Sequence, residues 1–403
     1  MGIELINDKK KIVLYLNTIL IISFIWVIFV NTSYFFEKTV FGEHELYSDL
    51  KLIHNNFVDY LANKNPYEFD SNFWPKGSIP PFILKTFSSL GKIEFQIVKN
   101  YFIVLEIISL ILLLYYSYKL FPLKKVKYLY PLIYFFSFNF SNGSSVMFGN
   151  DASILYSMIG IGIIFLYKEK ILIFMILVLI ASLFKFHYFL FYFLPFLLYG
   201  WKSLKYIVPF FLFIILVYFF SYLDDKELFN SWLDILNVII LRNVNNPWAG
   251  VDITQIFINI LWYTGQNLNI NLYPNYFISN IFWFLFTFIS FISIFFIFHN
   301  KNINNEKKLK ILSLGILTIT LFYPRLIFYD FFLIVPVYYY LTRTIRFFED
   351  KNKNIAAKFI LFLFFLVVQD SHTAITALSL LFFLIVYSEF KNNDPLLINK
   401  KIS

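Results

Sequence analysis

The 403-residue chain contains no cysteine. Without thiols, a disulfide framework, a thiolate metal site and a cysteine nucleophile are excluded. The sequence also lacks a P-loop, a dinucleotide-binding fingerprint, a zinc-binding His-Glu motif and a nucleophile elbow. We therefore do not expect an enzyme that uses a soluble nucleotide, and no residue is assigned to a metal or a cofactor.

Charged residues are scarce, at 15% of the chain, whereas 59% of the residues are hydrophobic, including 55 Phe and 29 Tyr. A soluble domain of this length has no means of burying so much apolar surface. The charges cluster between long apolar runs, which is typical of a bundle of transmembrane helices. The net charge of +9 fits cytoplasmic loops that follow the positive-inside rule. We expect contact with membrane lipids and none with nucleic acid.

The apolar runs predict an all-α polytopic membrane protein with about twelve membrane segments. The first span is expected from about Ile12 to Phe36, because this run is too long for a signal peptide and has no small-residue cleavage site. Residues 1–403 are interpreted as a single integral membrane domain. Further spans are expected at about 101–120, 128–147, 152–167, 206–223 and 278–298.

Three longer apolar blocks, 171–200, 311–341 and 358–388, have polar interruptions and basic residues at both ends. A hairpin in each block leaves both basic ends in the cytoplasm. Each arm of about 13–15 residues then reaches only roughly 20 Å into a hydrocarbon core about 30 Å thick. Because unpaired charge in lipid is costly, we expect the polar apices to meet in a cavity that opens outward. The interruptions are Lys185 with His187, Tyr323-Pro324-Arg325, and Gln369-Asp370-Ser371-His372.

The loop charges then predict the orientation of the chain. With these hairpins, the basic clusters fall into cytoplasmic loops, and both termini lie in the cytoplasm. The protein is expected in the inner (plasma) membrane, crossing it many times. Residues 37–99 form the first extracytoplasmic loop in this interpretation. Residues 224–277 form the second one, which is net acidic.

Asp49 stands about a dozen residues after the aromatic end of the first span, which places it near the outer membrane face. Partial desolvation raises the pKa of a carboxylate in such a position toward the range of a general base. A solvated loop acid is the alternative interpretation. Gly149-Asn150-Asp151 lies at the outer end of a span and is expected to cap the following helix, with Asp151 near its first turn.

The ionisable residues inside the apolar blocks are functional candidates by default. Lys185 is one of them, although a charge that snorkels from a helix end explains it too. Arg325 either pairs with Asp330 or grips a phosphate through both guanidinium edges. Asp370 and His372 at the third apex have the same two possible roles, structural pairing or substrate binding. Asp370 also suits a helix cap.

The order of these features resembles the GT-C class of membrane glycosyltransferases. The resemblance is greatest to glycosyltransferase family 87, the DUF2029 proteins, which include polyprenol-phosphate-mannose-dependent mannosyltransferases. The family has Gln at the position of Asn150 and Pro after Lys185. The matching segments are Ser48-Asp49-Leu50, Lys64-Asn65-Pro66-Tyr67, Ile79-Pro80-Pro81, Gly149-Asn150-Asp151-Ala152, Lys185-Phe186, and Pro324-Arg325 followed by Tyr329-Asp330.

The resemblance implies a GT-C-like bundle that moves a hexose such as mannose at the extracytoplasmic face, with inversion. The donor is a polyprenyl-phosphate sugar and the acceptor is lipid-linked or a glycan. Asp49 is the implied general base. The implied substrate-binding residues are Lys185, His187, Arg325, His372, Asn150, Tyr67 and Asp370.

Two other functions stay open. One is a lipid-linked oligosaccharide polymerase or ligase, although such enzymes centre on paired arginines in their outer loops and here Arg242 stands alone. The other is a polytopic transporter of lipids or glycans, which predicts inverted repeats and polar residues at mid-membrane.

Overall fold

The computed structural model describes most of the chain, and in that part the regular elements are helices without a strand. The expected all-α class is confirmed for these residues. The described residues are 18–29, 46–67, 79–121, 130–245, 285–296, 304–322, 331–367 and 371–393, apart from 24, 27, 286 and 349.

The helices follow the apolar runs closely. In chain order they are α1 Ser48–Leu61, α2 Pro81–Thr86, α3 Phe95–Leu120, α4 Tyr130–Phe148, α5 Ala152–Tyr167, α6 Ile171–Phe184, α7 Phe193–Tyr199, α8 Leu204–Asp224, α9 Lys226–Asn245, α10 Asn305–Leu321, α11 Ile334–Thr344, α12 Lys351–Val367 and α13 Ser371–Asn393. Short 3₁₀ segments cover Ser88–Lys92, Phe186–Tyr192 and Gly200–Ser203. Residues 287–296 are also helical, as are residues 18–23 of the expected first span, of which 12–17 and 30–36 lie outside the described residues.

Several boundaries differ from the expected ones for a physical reason. Helix α3 begins at Phe95 rather than near residue 101, because its first turns carry the polar residues Gln96, Lys99 and Asn100. The two expected outer loops contain the helices α1 and α9. Both are amphipathic, so their apolar residues are spaced around the helix instead of forming a continuous run.

Two segments are long and apolar enough to cross a membrane, Phe95–Leu120 and Phe186–Asp224. The second is not one continuous helix, because Gly200 adopts φ 58° and ψ −142° between α7 and α8. Within it, α8 is the long uninterrupted helix, with 21 residues. Both α3 and α8 turn large apolar side chains outward, among them Tyr101, Ile111 and Phe220. These features support a membrane protein.

Each of the three interrupted blocks is broken where its polar residues stand, since α6, α10 and α12 end at Phe184, Leu321 and Val367. Arg325 and Asp370 lie outside the described residues. His372 lies in the first turn of α13, and its side chain is not among those described.

Hydrogen bonds show that the first and third blocks return to the end of the bundle from which they start. Tyr199, the last residue of α7, donates to the carbonyl of Leu166, shortly before α6 begins. For the third block, the Phe347 amide donates to Asn354 near the start of α12. Ser388 near the end of α13 donates to the carbonyl of Arg346. The two arms of α12 and α13 therefore run in opposite directions.

The middle block reverses in the same way. Lys310 in the second turn of α10 forms an ion pair with Glu389 of α13. Glu389 follows Ser388, whose hydroxyl binds Arg346 just after α11 ends. The start of α10 and the end of α11 therefore lie together.

These contacts define two ends of the bundle, which we call the basic end and the site end. The basic end holds the starts of α6, α8, α10 and α12 with the ends of α3, α5, α7, α11 and α13. The site end holds the start of α1 and the opposite ends of α5, α6 and α8. The basic residues of the basic end are Lys119, Lys168, Lys170, Lys202, Lys205, Lys307, Lys308, Lys310, Arg343, Arg346, Lys351, Lys353 and Lys358. The described acids there are fewer: Glu169, Glu306, Asp350 and Glu389.

Helix α5 packs between α3 and α6 through two glycines. A Cβ atom on Gly160 would lie 3.2 Å from the ring of Tyr116 in α3. One on Gly162 would lie 3.2 Å from the ring of Phe174 in α6. Small residues allow helices to approach closely in this way. The close packing fixes the start of α5 relative to the end of α6, where the site lies.

Candidate functional site

Asp49 lies in the first turn of α1, and its position depends on the residue that precedes the helix. Tyr47 adopts a left-handed conformation with φ 64°. Its amide donates to the carbonyl of Met147 at 2.9 Å, which ties the start of α1 to the end of α4. A carboxylate in the first turn also interacts favourably with the helix dipole. Asp49 is partly buried at this junction.

Gly149 allows the α4–α5 turn to lie directly against α1. Its φ is +65°, a conformation that other residues adopt only with strain. A Cβ atom at this position would lie 2.5 Å from Cδ1 of Tyr47 and 3.2 Å from Cβ of Leu50. The absence of a side chain therefore brings the next residue, Asn150, beside Asp49.

Asn150 joins Asp49 to Lys185. The Asn150 Nδ2 donates to Asp49 Oδ2 at 2.8 Å. The Asn150 Oδ1 accepts from Lys185 Nζ at 3.2 Å and from the amide of Ala152 at 3.0 Å. Because two donors face Oδ1, the amide nitrogen is the atom directed at the carboxylate. Asp49, Asn150 and Lys185 belong to three separate segments of the sequence, and the structure brings them together.

Asp151 forms an ion pair with Lys185. It occupies the N-cap position of α5 but makes no capping hydrogen bond through its side chain. Its Oδ1 instead lies 2.5 Å from Lys185 Nζ. Asn150 Oδ1 accepts from the first-turn amide of Ala152, so within the segment expected to cap the helix Asn150 supplies the hydrogen bond and Asp151 does not. The nearby ammonium offers its carboxylate a stronger, charge-assisted bond.

Lys185 is held between two partners at the end of α6. Its backbone is extended, with φ −136° and ψ 106°, which turns the chain out of the helix. The side chains of Lys185 and Asp151 are 27% and 23% exposed, so the ion pair is still accessible to a ligand. The group as a whole offers two carboxylates, an amide and an ammonium. It is suited to accept a proton on one side and to bind an anion on the other.

Glu106 is a further polar residue at this junction, and the sequence analysis missed it. It lies in the middle of α3 and is only 2% exposed. Its Oε2 accepts from the Tyr47 hydroxyl at 3.2 Å, and its Oε1 lies 3.5 Å from the Ser153 hydroxyl. A single acidic residue in an otherwise apolar span was the available signal, since such residues are rare and usually functional.

Tyr47 is thereby fixed at both its backbone and its ring. Burial, together with the charge and the hydrogen bond of Glu106, raises the pKa of Tyr47 to about 12. The phenol therefore keeps its proton at neutral pH and donates to Glu106. Tyr47 also packs edge to face against Phe102, and Lys99 Nζ lies 5.2 Å from the centre of its ring. These contacts hold the residue two positions before Asp49.

Tyr67 packs within its own loop, and His187 follows Lys185 closely in the chain. Tyr67 is buried, and its hydroxyl donates to the carbonyl of Ile79 at 2.6 Å. Its amide donates to Asn65 Oδ1 at 3.0 Å, which closes the Asn-Pro-Tyr turn. Both polar groups of Tyr67 are thus engaged within its own loop, and the substrate-binding role of Tyr67 stays a prediction. His187 lies in the 3₁₀ segment after Lys185, with its ring centre 4.5 Å from that of Tyr188.

An apolar groove of about 640 Å³ opens beside the same end of the bundle. Aromatic rings connect this groove to the Lys185 ammonium. Phe186, the neighbour of Lys185, packs edge to face on Tyr218. Tyr218 in turn packs on Phe82. The groove is lined by Phe82, Val217, Phe220, Ser221, Leu223 and Asp224.

Lys85 and two acids form the polar rim of this groove. Lys85 Nζ lies 2.6 Å from Asp224 and 3.5 Å from Asp225. Burial lowers the pKa of Lys85, but the hydrogen bond and charge of Asp224, with the charge of Asp225, outweigh it and raise the pKa overall. The lysine is therefore charged at neutral pH. The ion pairs join the end of α2 to the end of α8.

The chain matches no protein-family model, no curated protein and no solved structure. Within the part of the chain that is described, no cluster of three or more His, Asp and Glu side chains is arranged to hold a metal ion. The functional interpretation therefore depends on the residues at the site end and on their arrangement.

Proposed function

We propose that the protein is a polytopic membrane glycosyltransferase. It transfers a hexose, such as mannose, from a polyprenyl-phosphate donor to a lipid-linked or glycan acceptor at the extracytoplasmic face. The observation that supports this most is the hydrogen-bonded group of Asp49, Asn150 and Lys185. Asp49 and Asn150 are 101 positions apart, and Asn150 and Lys185 are 35 apart. All three belong to segments on which the resemblance to GT-C enzymes rests.

The charge distribution supports the membrane orientation. The basic end carries most of the described lysines and arginines, as the cytoplasmic ends of membrane bundles do. The site end then faces outward, where polyprenyl-phosphate sugars are used by enzymes of this class. We propose about twelve membrane segments, including the three hairpins, with both termini in the cytoplasm.

Asp49 acts as general base in the proposed reaction. The acceptor hydroxyl oxygen attacks the anomeric carbon while its proton passes to Asp49. The bond between the anomeric carbon and the phosphate oxygen breaks, and its electron pair leaves with polyprenyl phosphate, so the configuration inverts. Asn150 orients the carboxylate through its bond to Oδ2.

Lys185 stabilises the leaving phosphate in this mechanism. Its ammonium is already desolvated in part and held at a defined position by Asn150 and Asp151. A phosphate competes with Asp151 for the same cation, and pre-positioned donors stabilise developing charge without reorganisation. Arg325, His187 and His372 are further proposed donors to substrate, and Asp370 a further polar contact.

The apolar groove suits the lipid part of the donor. Its walls come from α2 and α8, and it opens among outward-facing side chains such as Phe220 and Leu223. A polyprenyl chain lying there would enter from the bilayer. Its phosphate would reach the Lys185 side past the rings of Tyr218 and Phe186.

Replacing Asp49 tests the mechanism directly. Asp49→Asn keeps the shape of the side chain but removes the basic oxygen, so transfer should fall by about 10²–10⁴. Purified protein would be assayed with polyprenyl-phosphate mannose, glucose and arabinose. Asp59→Asn, on the same helix, is the matched control and should keep activity. Transfer by Asp49→Asn at the wild-type rate would rule out this role for Asp49.

Transport of a lipid or glycan is the second candidate, and Glu106 is the observation in its favour. A buried acid in the middle of an apolar helix is typical of transport pathways. Reconstituted vesicles separate the two functions. A transferase forms a new glycosidic product in detergent solution. A transporter moves its substrate across the vesicle membrane and forms no such product.

A further inference from the structure

A second groove, of about 270 Å³, lies at the basic end. It runs between the first turn of α6 and the start of α8. Helix α6 separates it from Lys185, at a rise of 1.5 Å per residue, by roughly 20 Å. It is therefore distinct from the Asp49 group. The groove is lined by Glu169, Lys170, Ile171, Leu172, Ile173 and Tyr206.

Two exposed lysines flank this groove over aromatic rings. Lys205 Nζ lies 5.0 Å from the centre of the Tyr206 ring, and Lys170 Nζ lies 5.9 Å from that of Phe165. Among the described residues, neither ammonium lies within 4.0 Å of a carboxylate. The groove therefore presents two lysine charges that no described acid pairs with.

The acid that lines the groove is already compensated. Glu169 Oε1 lies 2.8 Å from Lys308 Nζ. The hydrogen bond and charge of Lys308 lower the pKa of Glu169. Because this carboxylate is engaged by Lys308, the electrostatic character of the groove is set by Lys170 and Lys205.

An apolar surface continues from the groove along both helices. Leu172 and Ile173 are 53% and 38% exposed, and Ile176 follows on the same side of α6. On α8, Val208 and Leu212 are exposed below Tyr206. The two helices pack against each other, so these side chains form a continuous surface suited to acyl chains.

Trp201 indicates the depth of the groove in the membrane. It lies in the 3₁₀ segment immediately before α8 and is 70% exposed. Exposed tryptophans in membrane proteins concentrate at the level of the lipid headgroups. The lysines therefore lie at headgroup height, with the apolar surface beneath them.

We propose that this groove binds one anionic phospholipid of the cytoplasmic leaflet. Its phosphate would lie between Lys170 and Lys205, and its acyl chains along α6 and α8. Charge complementarity selects the occupant, because a zwitterionic lipid brings no net charge to two lysine ammoniums. The site goes beyond the transfer reaction and rests on the proposed membrane orientation, in which the basic end is cytoplasmic.

Native mass spectrometry of the full chain tests the proposal. The protein would be reconstituted in nanodiscs of mixed phosphatidylcholine and phosphatidylglycerol, then released in mild detergent to count retained lipids. Each lysine should contribute roughly fivefold to lipid retention. Lys170→Gln with Lys205→Gln should therefore lose phosphatidylglycerol by a factor of more than ten. Lys226→Gln is the matched control, because it is an exposed lysine over the Tyr222 ring at the opposite end.

Three results would overturn the site. The first is equal phosphatidylglycerol retention by the double variant and the wild type. The second is equal retention of phosphatidylcholine and phosphatidylglycerol by the wild type. The third is displacement of the lipid by inorganic phosphate, which would indicate a soluble anion as occupant. Lys170→Arg with Lys205→Arg preserves both charges and should retain the lipid. Loss there as well would contradict the electrostatic argument.

Discussion

At the scale of single residues, Asn150 determines how the site is assembled. It uses both ends of its amide, donating to Asp49 and accepting from Lys185 and Ala152. An acidic side chain in its place would set two carboxylates side by side, and a lysine would supply no acceptor for Lys185. The neutral amide bonds to both the Asp49 carboxylate and the Lys185 ammonium without adding charge. It therefore holds the proposed base, Asp49, at a fixed position relative to the proposed phosphate-binding residue, Lys185.

Tyr47 should matter more for stability than for chemistry. Tyr47→Phe removes the hydroxyl that donates to buried Glu106, leaving one carboxylate oxygen without this donor. An unsatisfied buried polar group costs about 1–3 kcal/mol. We expect the thermal unfolding temperature of the purified protein in detergent to fall accordingly, with transfer reduced far less than in Asp49→Asn.

The control for this variant is Tyr101→Phe, which removes a hydroxyl from a tyrosine that is 71% exposed on the same helix as Glu106. It should unfold at the wild-type temperature. Equal unfolding temperatures for Tyr47→Phe and the wild type would mean that the Tyr47–Glu106 bond does not hold the start of α1.

At the scale of elements, the junctions matter more than the helices. The site lies where four helix ends meet: the start of α1, the end of α4, the start of α5 and the end of α6. A local break in helix geometry defines each end: Tyr47 precedes α1, Gly149 separates α4 from α5, and Lys185 follows α6. The helices supply rigid supports, and the breaks direct polar groups toward one another.

Gly149→Ala should separate these elements. The new Cβ would meet Tyr47 at 2.5 Å, in a backbone conformation with φ +65°. Strain of this kind costs about 1–3 kcal/mol. We expect lower thermal stability and a loss of transfer, because Asn150 would move away from Asp49.

Gly162→Ala is a suitable control, because Gly162 has helical backbone geometry. A Cβ atom added there would lie 3.2 Å from the Phe174 ring, its nearest neighbour. It should reduce stability less and leave transfer closer to wild type. A Gly149→Ala protein with full activity would show that the α4–α5 turn does not position the site.

At the scale of the whole molecule, charge and apolar exposure define an axis. One end is rich in lysine and arginine, the other carries Asp49, Asp151 and the Lys85–Asp224 pair, and the sides between them are apolar. A water-soluble protein rarely exposes apolar surface of this extent. The arrangement supports a membrane protein whose two ends differ in charge.

Thiol labelling tests this axis without interference, because the natural chain has no cysteine. Lys64→Cys places a thiol at the site end and Lys168→Cys places one at the basic end, both at exposed positions. In intact cells, an impermeant reagent should label the first variant and not the second. After the cells are opened, both should react.

The reverse labelling pattern would invert the orientation and put the proposed active site in the cytoplasm. Labelling of both variants in intact cells would contradict a bundle whose two ends lie on opposite sides of the membrane.

The secondary structure was largely predictable, because apolar runs and their polar interruptions are local features. The run at 152–167 and the helix ends at Phe184 and Leu321 are readable from composition alone. The amphipathic helix α1 was missed, although Leu50, Ile53 and Phe57 recur at helical spacing. A short helix in a polar segment has a weak signal when only continuous apolar runs are sought.

The candidate site was predictable as a set of residues but not as a set of contacts. Asp49, Asn150 and Lys185 attract notice by type and position. The pairing of Lys185 with Asp151 and the burial of Glu106 under Tyr47 depend on how α3, α5 and α6 pack. The sequence by itself determined the helical class, the breaks and the distribution of basic charge, because each arises from neighbouring residues. Only the tertiary structure decided which polar groups meet, because a hydrogen bond between residues 101 positions apart depends on packing rather than on spacing.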